Sequence, residues 1–490
     1  MRLRLAISAT DLIKKISKKG NSHKFLKISL AFLENHFGSQ ILLDVPSGLQ
    51  DFQPDSFSAL GVASKLKSLG FIQKVMPQEK LPDEPFAYRF YVGSMENAHG
   101  EGIDFFSEEK AIWKALAEAI ERFLWYTSED FYVSTLVKAP LSKLKGKALN
   151  ITSLIGFSQE QKKQFPIISY DKNSVFGWLK THSLTNEEVW CPAQLFSSHY
   201  TRHHVKTLRE STKEEPMLRW AITTGLATGR CLEEATTKGI LEIIERDAFM
   251  ISYLNQISPP VIDLEYLSKQ DEGIASILKK FRRYNLEVSL IQLPSDFPVF
   301  IIAATIIDRT GIGPAFSIGA SADFNLRTCI LDALSESLAT RLATRDKYRH
   351  RQEINIAEMN REGRLIYWAN PANLPKIEFI TNGPKLNINL EKNFFQIEED
   401  FDYKTYYAAK LAILTNKLGE LKYKGYVAEL TARSIEKLGL RSVQVVIPKL
   451  QPMHLNESIP YFSGPRLKNI PRQFNYSPKE PVNQEPHPFP

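Results

Sequence analysis

Gly239-Ile240-Leu241-Glu242-Ile243-Ile244-Glu245-Arg246-Asp247-Ala248 is apolar on almost every side of a helix, yet it carries two carboxylates three residues apart. With Phe249, Met250 and Ile251 following, no polar face is wide enough to sit at a surface, so the helix is expected to be buried. A buried carboxylate must be paired, protonated or bound to a cation. Glu242 and Glu245 share one face, where their charges repel, and Arg246 answers only one of them. The same pentad stands at Glu118-Ala119-Ile120-Glu121-Arg122, enclosed by Ala115, Leu116, Phe123, Leu124 and Trp125, and a looser version pairs Glu336 with Arg341.

Working outward, hydrophobic periodicity predicts long helices over 108–126, 232–254 and 326–345, and strand-like runs at 165–170, 286–293, 299–307 and 443–447. This is an α/β or α+β body with a large mixed sheet and long helices. Carboxylates repeated on buried helices point to a shared cation, and oxygen-only ligands favour magnesium, which reaches proteins through carboxylates and substrate phosphates. Glu118, Glu121, Glu242 and Glu245 are the expected metal ligands. Glu234, two turns before Glu242, is expected to join them from nearly the same side. The plainer alternative is three amphipathic helices with ordinary surface salt bridges, and the repetition of the pentad weakens it.

The chain has 490 residues, 43% of them hydrophobic, enough for two or three cores without disulfides. Its three cysteines, Cys191, Cys231 and Cys329, form no CxxC pair, which suits a reducing compartment. The longest apolar run, 298–307, is too short to cross a membrane, and residues 1–30 lack the apolar core of a signal peptide. A cytoplasmic protein is expected. Arg2, Arg4, Lys14, Lys15, Lys18, Lys19, Lys24 and Lys27 against Asp11 alone account for the whole formal charge of +7. The rest is balanced, so no nucleic-acid-binding surface is expected.

Three regions follow. Residues 1–85 read as a basic helical module, winged-helix-like, with helices at 26–37 and 60–69, a short strand at 70–72 and a proline-containing linker at 78–85. Residues 86–465 are the body. Residues 466–490 are a proline-rich tail with no helix or central strand, ending in Pro486-His487-Pro488-Phe489-Pro490. Other motifs are poorer. Gly311-Ile312-Gly313 lacks a dinucleotide fingerprint's third glycine, and no P-loop occurs. His199, His203 and His204 read as a solvated loop.

Thr224-Gly225-Leu226-Ala227-Thr228-Gly229, Glu233-Glu234-Ala235 and the pentad helix together resemble the central signature of the YcaO family, enzymes that activate peptide backbone with ATP. Ala117 to Arg122 is similar to the family's first signature, and Ala333-Leu334-Ser335-Glu336 with Arg341 to its third. The resemblance spans about 91–465. It implies a YcaO-type ATP-binding fold in which the glutamates hold Mg2+ against ATP, while Glu234, Arg122, Arg246, Arg341 and Lys114 orient nucleotide and glutamates. Glu429-Leu430-Thr431, Gly464-Pro465-Arg466 and the alternating prolines of the terminus resemble the azoline-forming cyclodehydratase branch.

That branch implies attack of a Cys, Ser or Thr side chain on the preceding amide of a ribosomally made precursor peptide, phosphorylation of the oxyanion by ATP, and loss of phosphate as a thiazole- or oxazole-type azoline closes. His487 or the carboxylate of Pro490 would take the released proton. Thioamidation or amidine formation is the neighbouring alternative, and a non-catalytic peptide- or nucleotide-binding scaffold the alternative of another class. Expected partners are the peptide, a leader-peptide-binding protein (ThiF-like or winged-helix) and a flavin dehydrogenase, and a homodimer is allowed. Glu101 stands where the family commonly has lysine, Lys114 where it often has serine, and Asp332 where arginine is frequent. Lys114 is expected to replace a lost charge.

Overall fold

The computed structural model describes residues 58–94, 98–127, 136–207, 212–349, 361–391, 394 and 402–489. The basic segment and the helix expected at 26–37 lie outside the described residues. Helix α1 (Ala59–Ser68) starts at Ser58, whose hydroxyl accepts from the Gly61 N–H, and buries Ala59, Val62, Ala63 and Leu66 as one stripe. Strands β1 (Ile72–Pro77), β2 (Tyr88–Ser94) and β3 (His99–Asp104) then form an antiparallel sheet. Because β1 pairs with β2 across the proline-containing loop, the boundary expected at 85 runs through this sheet. Prolines there interrupt regular structure without ending the domain. The winged-helix reading of 60–72 therefore gives way to a helix and a strand built into the body.

Helix α2 (Glu108–Thr127) lies directly on β3. A Cβ on Gly100 or Gly102 would come within 2.0 or 1.9 Å of the carbonyls of Ala115 and Ala111, so only glycine permits this approach. The strands that follow are β4 (Val137–Pro140), β5 (Val175–Ser183), β6 (Glu188–Pro192) and β7 (Leu226–Gly229). After helix α3 (Leu232–Leu254) come β8 (Val261–Ile262), helix α4 (Glu272–Arg283), β9 (Leu286–Gln292), β10 (Phe300–Asp308) and β11 (Phe316–Asp323). Helices α5 (Leu326–Arg349) and α6 (Arg361–Ala369), strand β12 (Lys385–Leu386), helix α7 (Tyr403–Glu420), strands β13 (Tyr426–Glu429) and β14 (Arg441–Val446) and helix α8 (Arg466–Gln473) complete the order.

Instead of one large sheet there are three. The second is ordered β11-β10-β9-β8-β12, antiparallel except for the β8–β12 pair; the third is ordered β4-β5-β13-β14-β7, with β6 on β5. Strand β10 is buried on both faces: Ile302, Ala304 and Ile306 meet the core under α4 and α5, while Ile301, Ala303 and Ile307 meet the core around α3. That second core also takes Val443 and Val445 from β14. Helix α3 is therefore held between two sheets, which is why its sequence is apolar all round. The run at 165–170 is a 3-10 turn, Pro166–Ile168, because Pro166 fixes a helical φ at the first position.

The last residues are ordered by side chains reaching out of α3. Helix α8 contains Pro471, against the expectation of no helix beyond 466. Pro471 cannot donate to the carbonyl of Leu467, and that carbonyl instead accepts from Asn255 Nδ2 at 3.0 Å. Arg466 at the start of α8 is fully buried between two carboxylates, its Nη2 2.7 Å from both Asp247 and Asp296. Replacing Arg466 with methionine strands both buried charges and should cost about 3–5 kcal/mol. Urea unfolding will show it as a lowered midpoint, and an unchanged midpoint would mean that the triad carries no stability.

Candidate active site

Three times, a strand is followed by a helix whose glutamate folds back onto the strand's own backbone. Glu118 of α2 accepts from the Glu101 N–H of β3 at 2.6 Å; Glu242 of α3 accepts from the Gly225 N–H beside β7 at 2.9 Å; Glu336 of α5 accepts from the Ala320 N–H of β11 at 2.8 Å. The separations in sequence are 17, 17 and 16 residues. Gly225 has φ +89°, and a Cβ there would lie 2.3 Å from the Val445 carbonyl, so this pin also depends on glycine. A fourth bond crosses between units: Glu121 of α2 accepts from the Thr228 N–H of β7 at 2.6 Å.

Positive charge is scarce among these groups. Arg246 lies 3.5 Å from Glu242, 3.0 Å from Glu245 and 3.6 Å from Glu336. Arg122 is taken by Glu118 at 2.5 Å and by the His99 carbonyl. Among the described residues Glu121 has no ion-pair partner, and Glu245 shares Arg246 with Glu242 and Glu336. Burial, then the charges of Glu242 and Glu118, push the Glu121 carboxyl up to about 8. Burial also raises Glu242, Glu245 and Glu336 against the pull of Arg246. Five carboxylates against two arginines, all with oxygen donors and one of them orphaned, fit a hard divalent cation such as magnesium.

Glu118, Glu121, Glu242 and Glu336 line a cleft made of two adjoining cavities of 530 and 610 Å³, which share His99, Glu118, Arg122, Glu336 and Arg361, while Glu245 lines neither and pairs with Arg246 beside them. Trp125, Trp220 and Thr224 wall the larger one. Lys114 lines the smaller, but it is bound to Asp332 at 2.9 Å and faces Asp104 at 3.6 Å. The two departures from the family pattern, at 114 and 332, thus neutralise each other.

Two expected nucleotide contacts are placed elsewhere. Arg341 is buried and spent on Glu84, Asp308 and the Pro314 carbonyl; standing five residues after Glu336, it is turned about 140° away from it. Glu234 binds the Arg230 N–H at 2.5 Å and Lys238 at 2.7 Å, lining neither cavity. It secures the start of α3, where the N-cap Cys231 makes no side-chain bond. The three histidines near 200 lie within a short helix, Ser198–His204, capped by Ser197, and not in the loop expected for them.

The tail is docked. Phe489 is fully buried, its ring 3.9 Å from the Arg246 guanidinium and 4.7 Å from Phe249. The Pro486 carbonyl accepts from Tyr253 and Trp368, each at 2.8 Å. His487 is enclosed, with Nε2 2.7 Å from the His454 carbonyl, and burial followed by Arg364 keeps its pKa well below the usual histidine value. It anchors the arm and does not face the cleft as the expected proton acceptor. Pro490 lies outside the described residues. Periodicity gave no sign of Arg361 at the start of α6 or of Phe489 on Arg246.

Fold and site define a class of proteins in which strand–helix units gather glutamates around one cation site. The family model described as YcaO cyclodehydratase, ATP- and Mg2+-binding, matches residues 104–451, and the chain belongs to that family. Among solved structures, a heterocyclase in complex with substrate and cofactor is 17% identical with a TM-score of 0.69, covering 88% of this chain and 57% of its own. YcaO from Methanopyrus kandleri bound with AMPPCP and Mg2+ is 17% identical with a TM-score of 0.53, covering 82% and 92%. An uncharacterized protein of Methanothermobacter thermautotrophicus is 29% identical over 176 residues, 35% of this chain and 43% of that protein. The chain thus spans about half the length of that curated relative and of the heterocyclase.

The raised carboxyls give a pH signature. Groups held above their unfolded values contribute stability that is full below about pH 4.5 and is lost as pH rises towards about 8. Magnesium binds only the ionised groups and so displaces protons. The rise in melting temperature caused by magnesium should therefore be larger near pH 8 than near about pH 5.5. A rise independent of pH would mean that the cation binds elsewhere.

Proposed function

We propose that this protein is an ATP-dependent cyclodehydratase that converts Cys, Ser or Thr of a ribosomally made peptide to azolines by activating the preceding backbone amide. The observation that carries the reading is the triple glutamate pin: carboxylates fixed by strand N–H groups, with too few cations between them. Glu118, Glu121, Glu242, Glu245 and Glu336 would hold magnesium, which supplies positive charge against nucleotide phosphates during phosphoryl transfer. Arg246 fixes the orientation of Glu242, Glu245 and Glu336, while Phe489 shields its guanidinium. Trp125, Trp220, Ala221 and Ile222 give the larger cavity an apolar wall suited to a peptide. No described helix is long and apolar enough to cross a membrane. A leader-peptide-binding partner is part of this proposal.

Glu245→Gln should abolish magnesium-dependent ATP turnover with a Cys/Ser/Thr-containing peptide, while the apo protein melts at the same temperature or higher because one repulsion is gone. Wild-type turnover in the variant would remove Glu245 from the metal set.

Removing residues 487–490 tests the arm. It uncovers Arg246 and should reduce ring formation, read by mass spectrometry as loss of water from the peptide, far more than it reduces nucleotide binding. Equal rates with and without these residues would leave the arm a structural strap.

A further inference from the structure

The cations lining the cleft can be sorted by what already holds them. Lys114 is tied to Asp332 and Asp104, Lys347 to Glu362, Arg122 to Glu118, and Arg246 to three glutamates and the Phe489 ring. Arg202, in the larger cavity only, lies over the Tyr126 ring. Arg361 differs from all of these. It is the first residue of α6, lines both cavities where they join, is exposed, and has no carboxylate within ion-pair distance among the described residues. Beside it at the junction stand Glu118, Glu336 and the committed Arg122.

A polyphosphate entering a cleft lined by Glu118, Glu121, Glu242 and Glu336, with further carboxylates in the smaller cavity, needs counter-charge beyond one divalent ion. A planar guanidinium presenting a fork of donors meets that need better than an ammonium. The two positions at which the family pattern would place basic residues hold Glu101 and Asp332. Asp332 moreover removes Lys114 from use, because breaking their 2.9 Å pair would leave a carboxylate uncompensated in the same cavity.

We propose that Arg361 is the phosphate-binding guanidinium of this chain, contacting the terminal phosphates of the nucleotide where the two cavities meet. The assignment rests on the nucleotide-dependent reading above. It makes Arg361 a specificity residue for the number of phosphates, and it moves the counter-charge from the β3 turn and α5 to the start of α6.

The test is calorimetric titration of the full-length protein and of Arg361→Ala and Arg361→Lys with the ATP analogue AMPPCP plus magnesium, and separately with AMP. Because the side chain is exposed and has no ion-pair partner among the described residues, the variants should melt as the wild type does. Arg361→Ala should weaken AMPPCP binding on the order of 10- to 100-fold. The lysine variant should lose less, and AMP affinity should stay within about twofold throughout. Unchanged AMPPCP affinity in the alanine variant overturns the assignment, as does a parallel loss of AMP, which would mark a structural role. If the wild-type protein itself fails to bind AMPPCP, the nucleotide reading falls first and the assignment falls with it.

Discussion

Burying more negative charge than positive is the constraint around which this molecule is arranged. Glu118 alone has an arginine to itself; Glu242, Glu245 and Glu336 share Arg246, so position cannot come from pairing alone. It comes from backbone: a strand N–H next to a glycine takes one oxygen and leaves the other directed at the common site. The strands must run close under the helices for this to work, which accounts for Gly100, Gly102 and Gly225. Sheet, glycine and carboxylate form one unit, used three times.

Within that unit Arg246 acts as organiser. Among the described residues it is the one cation paired with Glu242, Glu245 and Glu336, and it is held in turn between those groups and the ring of Phe489. The Lys114–Asp332 pair shows the same logic at the edge of the cleft. Each side chain alone would change the local charge by one, and together they leave it unaltered. Substitutions at these two positions are therefore expected to be tolerated in tandem and resisted singly.

Helix α3 was legible to the residue, because a helix pressed between two sheets must be apolar all round and its few polar positions stand out. For the same reason the pentads stood out, and Glu118, Glu121 and Glu242 do meet along one cleft. Arg341 was misplaced because proximity in sequence is not proximity on a helix: at five residues the side chain has turned about 140°, whereas Arg246 at four returns close to Glu242. Glu234 shares a side with Glu242 but stands about 12 Å along the axis, beyond the cluster. The turn at Pro166 had the composition of a strand and the proline decided otherwise. The docking of the tail was beyond reach, since prolines report stiffness and lost donors but not what the segment lies against. Helix α8 forms despite Pro471 because Asn255, more than two hundred residues earlier, meets the open carbonyl.

The ring of Phe489 covers a guanidinium 243 residues earlier in the chain. During synthesis, α3 and its glutamates leave the ribosome long before that ring exists, and for this interval Arg246 faces whatever else is at hand. The strand–helix units can form locally, whereas closure over Arg246 spans half the chain and carries the loop-closure entropy of that span. The growing chain therefore holds its carboxylates in place first and acquires the cover over Arg246 last. A nascent or truncated chain would present the glutamates with that guanidinium bare.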